Sequence, residues 1–413
     1  MLTMNTRKLL FAGCCLLVVQ GGFAKPTFCL PERIYAAPGL ECNVYYSNVF
    51  DSSVPQAYAF QTYSKKGKSY RERWCWTPGK EDAGKDVEIV INAWNDDGLV
   101  AACTTTVVVA KEPVDRTRKF VFSTFAASAS NGGYPQYMMD DMREAGFSGY
   151  KMIGTRHMPG RKGADVAYYD GYGGYTCTAF LTQYKVSEAE YDNVQDAAER
   201  EQLRSLGLPV KIVKAWQQDL LRSPLVQFRN GKKVVDVAAW LQKVNGGEPA
   251  DLVVISLGLN SIFHLKGEVP ALREHIRTKL MPTYGQLADA LKAVMPKAKF
   301  ALTTQTVGCG QDGFAANYGA GWNETQHRKI LVAFNREIEA YAEAHRADGF
   351  VGCIPIHHGI DPVNSYHQVP VPASARSSAK VERFNNAVHF GAEGSRQVGD
   401  MLAAWLQCNW DNL

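Results

Sequence analysis

Residues 120–138 read FVFSTFAASASNGGYPQYM, and they contain the change of pattern that indicates the fold of the larger part of the chain. It opens with an apolar run typical of a buried strand, and a helical pattern follows from about Tyr137 to Ala145. Further strand-like runs come later, with helical patterns between them: 251–258 (DLVVISLG), 299–304 (KFALTT) and 348–356 (DGFVGCIPI). Strands that alternate with helices predict an α/β domain with a parallel sheet covered by helices on both faces.

An open parallel sheet binds its ligands at the carboxyl ends of its strands, so the residues that follow each strand are the candidates for chemistry. The segments in such positions are 126–135 (AASASNGGYP), 153–156 (IGTR) leading to 170–176 (DGYGGYT), 257–261 (LGLNS) and 385–390 (NNAVHF). Together they contain a hydroxyl, glycines, an amide and an imidazole. Acyl transfer needs a nucleophile, a base and oxyanion donors of these types.

In these segments the chain resembles the SGNH (GDSL-type) hydrolase superfamily. Members of that family carry a nucleophilic serine in a GDS block, a glycine in a second block, then a GxND block and a DxxH block. The resemblance runs in the same order from about Arg118 to Leu413 and includes the strings YPQYM, IGTR and QDGFAANYG. It implies a flavodoxin-like parallel sheet, preceded by a small all-β domain as in some bacterial members, and an ester hydrolase that uses no cofactor and no metal.

The blocks of this chain depart from the family pattern at positions that bear on activity. They read AAS at 126–128, GLNS at 258–261 and NAVH at 386–389. An alternative alignment puts Phe125 at the nucleophile position and leaves no serine there. We favour Ser128, because the apolar strand then runs up to Phe125 and Ser130 falls where the family often has threonine.

The resemblance implies a role for each candidate residue. Ser128 is the nucleophile, and His389 is the base that accepts its proton and later returns it to the leaving alcohol. The amides of Ser128 and Gly171 and the side chain of Asn260 are the oxyanion-hole donors. Asn386 takes the third triad position, where it accepts a hydrogen bond from the imidazole but brings no charge. The same change in a serine protease lowers turnover by about 10⁴.

Each candidate also has a plain structural explanation. Ser128 and Gly171 are of turn-forming types, Asn260 is of a helix-capping type, and a single histidine is more often structural than catalytic. Two functions therefore stay open. One is an exported esterase that removes acetyl or other short acyl groups from carbohydrate. The other is a catalytically impaired relative that binds an acylated glycan or a protein partner.

The first part of the chain has a different pattern. From 31 to 109, short apolar or alternating runs such as 42–50 (CNVYYSNVF) are separated by turn residues. This pattern predicts a small antiparallel sandwich, and we assign 25–110 to an immunoglobulin-like domain. Alternating aromatic residues in a sandwich are more often core or cross-strand pairs than a sugar platform, and we interpret four of them so: Tyr45, Tyr46, Trp74 and Trp76. The polar segment 111–117 reads as a linker to 118–413.

The N-terminus predicts a secretory signal peptide over 1–24, and hence a secreted or periplasmic protein. Arg7 and Lys8 precede an apolar run from Leu9 to Val19, and small residues precede Lys25. The run is too short for a membrane span, which needs about 20 residues. A lipoprotein signal at Cys14 is the weaker alternative.

The charge of the chain bears on its partners, and its cysteine content bears on its disulfides. The net charge of +4 comes without a run of Lys or Arg, which argues against a nucleic-acid partner. After loss of Cys14 and Cys15 with the signal, each side of the linker keeps an even number of cysteines. Disulfides within each part and buried free thiols are both left open.

His357 and His358 are adjacent, and neighbours in an extended segment point to opposite sides, so we interpret them as structural residues.

Overall fold

The computed structural model describes residues 26–413 except 53, 213, 311–312, 315–317 and 320–321. The predicted signal peptide, 1–24, lies outside the described residues. Strands dominate the described chain up to Val109, and strands alternate with helices from Phe120 onward. We refer to 26–110 as the N-terminal part and to 118–413 as the C-terminal part.

The N-terminal part consists of strands joined by short turns. Its elements are β1 (Arg33–Ala36), β2 (Cys42–Tyr45), α1 (Tyr46–Val49), β3 (Ala59–Ser64), β4 (Lys68–Ser69), β5 (Arg73–Trp76), β6 (Val87–Asn95) and β7 (Gly98–Val109). One sheet has the strand order β1-β7-β6-β3, and a second has the order β2-β5-β4. A buried apolar cluster takes side chains from both sheets, among them Ile34, Val44, Trp74, Ile91 and Val107.

Two details of the N-terminal part differ from the sequence prediction. β1 pairs with β7 in parallel, whereas the turn pattern predicts an antiparallel arrangement throughout. The run at 42–50 turns into the helix α1 after Tyr45, and this turn lets Asn48 Nδ2 donate a hydrogen bond to the carbonyl of Ile360, at 2.7 Å, in the C-terminal part. Tyr45, Tyr46 and Trp74 are buried, as core residues should be. The immunoglobulin-like assignment stays a prediction.

The C-terminal part alternates strands with helices. Its strands are β8 (Phe120–Ala126), β9 (Tyr150–Ile153), β10 (Arg156–His157), β11 (Tyr168–Gly171), β12 (Val186–Ser187), β13 (Pro209–Val210), β14 (Val226–Arg229), β15 (Lys232–Val235), β16 (Leu252–Ser256), β17 (Lys299–Thr303), β18 (Phe350–Ile354), β19 (Gln368–Pro372) and β20 (Lys380–Phe384). Its helices are α2 (Tyr134–Glu144), α3 (Cys177–Thr182), α4 (Glu188–Asp192), α5 (Ala197–Ser205), α6 (Ala215–Gln218), α7 (Val237–Asn245), α8 (Leu259–Ile262), α9 (Val269–His275), α10 (Met281–Lys292), α11 (Glu324–Ala344) and α12 (Ala392–Asn409). A 3₁₀ turn at Ser128–Gly132 separates β8 from α2.

The main sheet has the strand order β10-β11-β8-β16-β17-β18, and β9 pairs with the first half of β8. Its pairs are parallel except that of β10 with β11. The predicted strand runs at 120–125, 251–258, 299–304 and 348–356 correspond to β8, β16, β17 and β18. The prediction of a mixed α/β fold with a parallel sheet is therefore confirmed.

Helices pack on this sheet and on one another. α2 packs along α12, while α11 contacts α9 and the strands β17 and β18. On α11, Ile330, Phe334 and Ile338 are buried at helical spacing. They join one apolar cluster with strand residues such as Phe122 and Ile255. Burying a side chain of this size contributes roughly 1.5–3 kcal/mol, so this cluster holds the strand ends in place.

Two adjacent histidines connect the two parts of the chain. His357 lies with Nε2 2.8 Å from the carbonyl of Cys29 and Nδ1 3.0 Å from Thr304 Oγ1. His358 lies with Nδ1 2.6 Å from the carbonyl of Asn43. A carbonyl oxygen only accepts, so His357 Nε2 and His358 Nδ1 carry protons and donate. Burial lowers the pKa of His357 to about 4 and that of His358 to about 3. Both rings are thus neutral and structural.

Free thiols of the described chain are Cys29, Cys42, Cys75, Cys103, Cys177, Cys353 and Cys408. Of the two alternatives left open by the sequence, disulfides and buried free thiols, the structure has free thiols at these positions.

Within the described ranges, no helix combines the length and the apolar character that crossing a membrane requires. No group of three or more His, Cys, Asp or Glu side chains among the described residues is arranged to hold a metal ion.

Acid should destabilise this structure through the two histidines. An unperturbed imidazole titrates near 6.5, well above the pKa of about 4 for His357 and about 3 for His358. Between these values the unfolded chain binds more protons than the folded chain. The stability contributed by each neutral ring is therefore fully present above about pH 6.5 and is lost as the pH falls toward 4. Each group contributes a slope of roughly 1.4 kcal/mol per pH unit to the free energy of unfolding.

Urea unfolding at a series of pH values from about 4 to 7 measures this slope. His358→Gln should flatten it, because one of the titrating groups is gone. His275→Gln is the matched control, since His275 is exposed on α9, and it should leave the slope unchanged. A His358→Gln profile parallel to that of the wild type would contradict the assignment.

Candidate active site

The register of the main sheet brings the ends of three strands together. Ala126, at the end of β8, is paired with Ser256 of β16 on one side and with Gly171 of β11 on the other. All three strands run in the same direction, so the segments that follow them leave the sheet at one edge. Ser128 lies in the 3₁₀ turn after β8, and Asn260 lies in α8 after β16.

Ser128, His389 and Asn386 form a chain of hydrogen bonds. His389 Nε2 lies 2.8 Å from Ser128 Oγ, and His389 Nδ1 lies 3.2 Å from Asn386 Oδ1. Asn386 Oδ1 also accepts the backbone N–H groups of Val388, at 3.0 Å, and of His389, at 2.9 Å. These backbone donors identify the atom as the oxygen of the amide, so His389 Nδ1 must carry the proton. His389 Nε2 is then the acceptor for the Ser128 hydroxyl.

His389 is in the form that a general base requires. Burial lowers the pKa of its imidazole below the usual 6.5, and His367 nearby lowers it further. The ring is therefore neutral at neutral pH, and Nε2 can accept a proton. Asn386 orients the ring but carries no charge, so the imidazolium that forms on proton transfer lacks the stabilisation that a carboxylate gives.

Asn260 and Gly171 flank the Ser128 turn. Asn260 Nδ2 donates to the carbonyl of Tyr175 at 3.0 Å, which fixes the plane of the amide and uses one of its two hydrogens. Gly171 packs against the turn, and a methyl group there would overlap the hydroxyl of Ser130. The structure thus places Gly171 beside the turn that carries Ser128, in direct contact with Ser130.

The segment that carries Asn260 is held by residues that the sequence did not single out. Gln305 Nε2 donates to the carbonyl of Leu257 at 3.0 Å, and Gln305 Oε1 accepts from the N–H of Leu259 at 3.4 Å. Asn335, buried on α11, accepts from Gln305 N at 2.8 Å and donates to Gln305 O at 3.0 Å. Gln305 follows the carboxyl end of β17. A polar residue in this position after a strand could have been identified from the sequence as a candidate site residue.

A tight turn precedes Asn260. Gly258 has a φ of 143°, in the region that favours glycine, and a side chain there would overlap the ring of Phe334. The glycine of the third sequence block is therefore explained by backbone geometry and by the close packing of α11. Substitution at Gly258 would displace the segment that positions Asn260.

A small cavity of about 30 Å³ lies at these residues. Its lining includes Ser128, Asn260 and His389, together with Tyr134 and Ile356. A space of this size accommodates a group such as the methyl of an acetyl ester.

The two alignments of the first block can be compared on the structure. Phe125 is completely buried, with its ring 5.1 Å from that of Phe180 and 5.3 Å from that of Trp240. Ser128 is the residue that contacts His389. Phe125 is part of the apolar core and has no polar atom to offer to a substrate.

Comparison with known proteins gives matches among solved structures alone. No family model matches the sequence, and no curated protein does. A family 3 carbohydrate esterase from Talaromyces cellulolyticus is 12% identical, with a TM-score of 0.40 over 71% of this chain and 99% of that one. The family 3 carbohydrate esterase of Clostridium thermocellum is 11% identical, with a TM-score of 0.36 over 71% and 97%. An extracellular lipase from Streptomyces rimosus is 15% identical, with a TM-score of 0.32 over 68% and 97%. These TM-scores lie below 0.5, so function has to be argued from the chain's own geometry.

The contact between Ser128 and His389 predicts a reactive hydroxyl. A serine bonded to a neutral imidazole nitrogen is activated as a nucleophile. A fluorophosphonate probe should therefore label Ser128, as peptide mass spectrometry of the labelled protein would show. Ser128→Ala should lose the label, whereas Ser130→Ala should keep it, because Ser130 Oγ donates to the carbonyl of Ala127 instead. Labelling at another serine would contradict the assignment.

Proposed function

We propose that the chain is an exported carboxylic-ester hydrolase of the SGNH type. The observation that carries the proposal is the 2.8 Å contact between His389 Nε2 and Ser128 Oγ at the edge where β8, β11 and β16 end. The strand order β9-β8-β16-β17-β18 supports the flavodoxin-like arrangement that this family implies. Ser128, Gly171, Asn260 and His389 stand along the chain in the order of the family's four blocks.

The proposed reaction uses the side chains at this edge. Ser128 Oγ attacks the ester carbonyl while its proton passes to His389 Nε2. The amides of Ser128 and Gly171 and the side chain of Asn260 receive the negative charge that develops on the carbonyl oxygen. His389 then gives the proton to the leaving alcohol. Water then gives a proton to His389 and attacks the acyl group on Ser128; the bond to Oγ breaks, His389 returns the proton to Oγ, and the carboxylic acid leaves.

The proposed substrate is a short acyl ester of a carbohydrate, acetyl above all. The cavity of about 30 Å³ supports a short acyl group. The carbohydrate part rests on the family resemblance and on the small domain proposed for 25–110, joined by the linker 111–117 to the hydrolase domain 118–413. Export rests on the signal peptide proposed for 1–24. The proposed partner is therefore a glycan ester outside the cytoplasm, with no role for nucleic acid, a metal or a cofactor.

Acyl length tests this function. The chain should hydrolyse p-nitrophenyl acetate above background. Its kcat/KM should fall by at least about tenfold at hexanoate, because even one unaccommodated methylene of the four that hexanoate adds costs about 1–3 kcal/mol. Ser128→Ala should remove the activity. Equal rates for acetate and hexanoate would contradict the short-acyl assignment.

Asn386→Asp tests the triad. A carboxylate at 386 would accept the same three hydrogen bonds as Asn386 Oδ1 and would stabilise the imidazolium. Turnover should therefore rise, by up to the factor of about 10⁴ that this exchange can carry. The negative charge should also raise the pKa of His389. The acidic limb of the pH–rate profile, which lies below 6.5 in the wild type, should then move to higher pH.

Asn386→Gln is the matched control, because it keeps the amide and adds no charge. It should give no gain in turnover and no upward shift of the acidic limb. If neither the wild type nor Asn386→Asp hydrolyses p-nitrophenyl acetate or reacts with the fluorophosphonate, the esterase proposal fails. The uncharged Asn386 then favours the second candidate, a relative that binds an acylated glycan without cleaving it.

A further inference from the structure

A polar cavity of about 530 Å³ beside the Ser128 turn has no part in the steps described so far. Its volume is within the range of about 300–1,000 Å³ that ligand sites occupy. It is walled by the turn itself, by β10, by the end of β11 and by residues on and near α6 and α7. The lining residues that matter are Asn131, Arg156, His157, Tyr172, Asp219 and Lys243.

The cavity adjoins the candidate catalytic residues. Asn131 belongs to the same 3₁₀ turn as Ser128. On the segment that continues from Tyr172, a methyl group at Gly173 would lie 3.9 Å from Ser128 Cβ and 3.5 Å from Leu220 Cδ1. Tyr172, which lines the cavity, therefore directly precedes a glycine that lies beside Ser128. A sugar ring bound there would neighbour a ring whose ester faces Ser128.

The Arg156 guanidinium is held in a fixed position at this cavity. Its central carbon lies 4.2 Å from the centre of the Tyr172 ring, and Nη2 donates to the carbonyl of Asp219 at 3.3 Å. The Arg156 side chain is 26% exposed, and it lines the cavity. A guanidinium fixed in this way loses little conformational entropy when it binds a ligand.

Positive charge exceeds negative charge among the lining residues. Lys243 adds a second cation from the exposed side of α7. The acidic lining residue is Asp219, whose carboxylate lies 3.7 Å from Arg156 and is 76% exposed. Because the Asp219 carboxylate is largely in solvent, water screens its attraction for Arg156, and a bound anion can compete for the guanidinium.

We propose that this cavity is a subsite for a carboxylate-bearing sugar, a uronate residue next to the ring that carries the ester. The proposal rests on the proposed function for its placement beside an ester-bearing ring. The planar guanidinium of Arg156 matches a carboxylate through two parallel N–H···O bonds, and Lys243 adds a point charge. A neutral sugar offers Arg156 neither charge nor this geometry. The substrate class is therefore an acylated acidic glycan.

Binding to the full chain carrying Ser128→Ala tests the subsite without turnover. The probes are tetragalacturonate and a neutral tetrasaccharide of galactose, measured by isothermal titration calorimetry. We expect the uronate to bind at least about tenfold more tightly than the neutral probe, and to lose affinity as salt is raised. Lys243→Ala and Arg156→Ala should each weaken uronate binding by several-fold to tenfold. Lys68→Ala, on the exposed strand β4, is the matched control and should leave it unchanged.

The possible outcomes distinguish a failure of the proposed uronate subsite from a failure of the proposed esterase activity. Equal affinity for the two probes, or uronate binding that survives both Arg156→Ala and Lys243→Ala, would overturn the subsite. A preference for a sulfated over a carboxylated tetrasaccharide would overturn the assignment to uronate. Uronate selectivity in a chain that hydrolyses no ester would reject the esterase and keep the subsite. Should Arg156→Ala fail to fold without its contact to Tyr172, the exposed Lys243→Ala decides.

Discussion

Ala126 is paired with Ser256 on one side and with Gly171 on the other, and this register is the constraint on which the site depends. Because these parallel strands are in register and end at the same level, the three segments that follow them begin close to one another. Ala126 is fully buried, and the small residues around it leave room for those turns. A slip of one residue in β8 would exchange the two faces of the strand and would separate Ser128 from His389.

Thr304 and Gln305 are adjacent in the chain. Thr304 contacts the histidine that binds the N-terminal part, and Gln305 holds the segment that carries Asn260. The Thr304 hydroxyl accepts from the N–H of Ile356 and faces His357 Nδ1, and His357 reaches the carbonyl of Cys29. Gln305, the next residue, holds the carbonyls and amides around Asn260. These contacts link the N-terminal part to the candidate site through neighbouring residues of the C-terminal part. Removing the N-terminal part would remove the carbonyl of Cys29, the acceptor for His357 Nε2, and with it this contact close to the site.

Hydrophobic patterning made the main strands predictable, because buried parallel strands are continuous apolar runs. It could not show that β1 runs parallel to β7, since pairing direction is decided by contacts distant in sequence. Nor could it show that Asn48 directs α1 toward Ile360 across the interface. Motif order placed His389 near Ser128, and the structure has that contact. Asn335 escaped notice because a polar residue within a helix reveals its buried partner only in three dimensions.

Asn386 separates two tasks that an aspartate performs together. Its oxygen accepts two backbone N–H groups and the imidazole N–H, so the orientation of His389 is preserved without charge. Burial keeps the ring neutral, which maintains the hydrogen bond to Ser128 in the resting state. What the amide cannot do is lower the energy of the imidazolium. In the proposed mechanism, the deficit falls on the steps in which His389 becomes charged and does not affect substrate binding. In the proposed function, binding of the substrate by the cavity walls requires no proton transfer, so it would be preserved at any turnover, slow or absent.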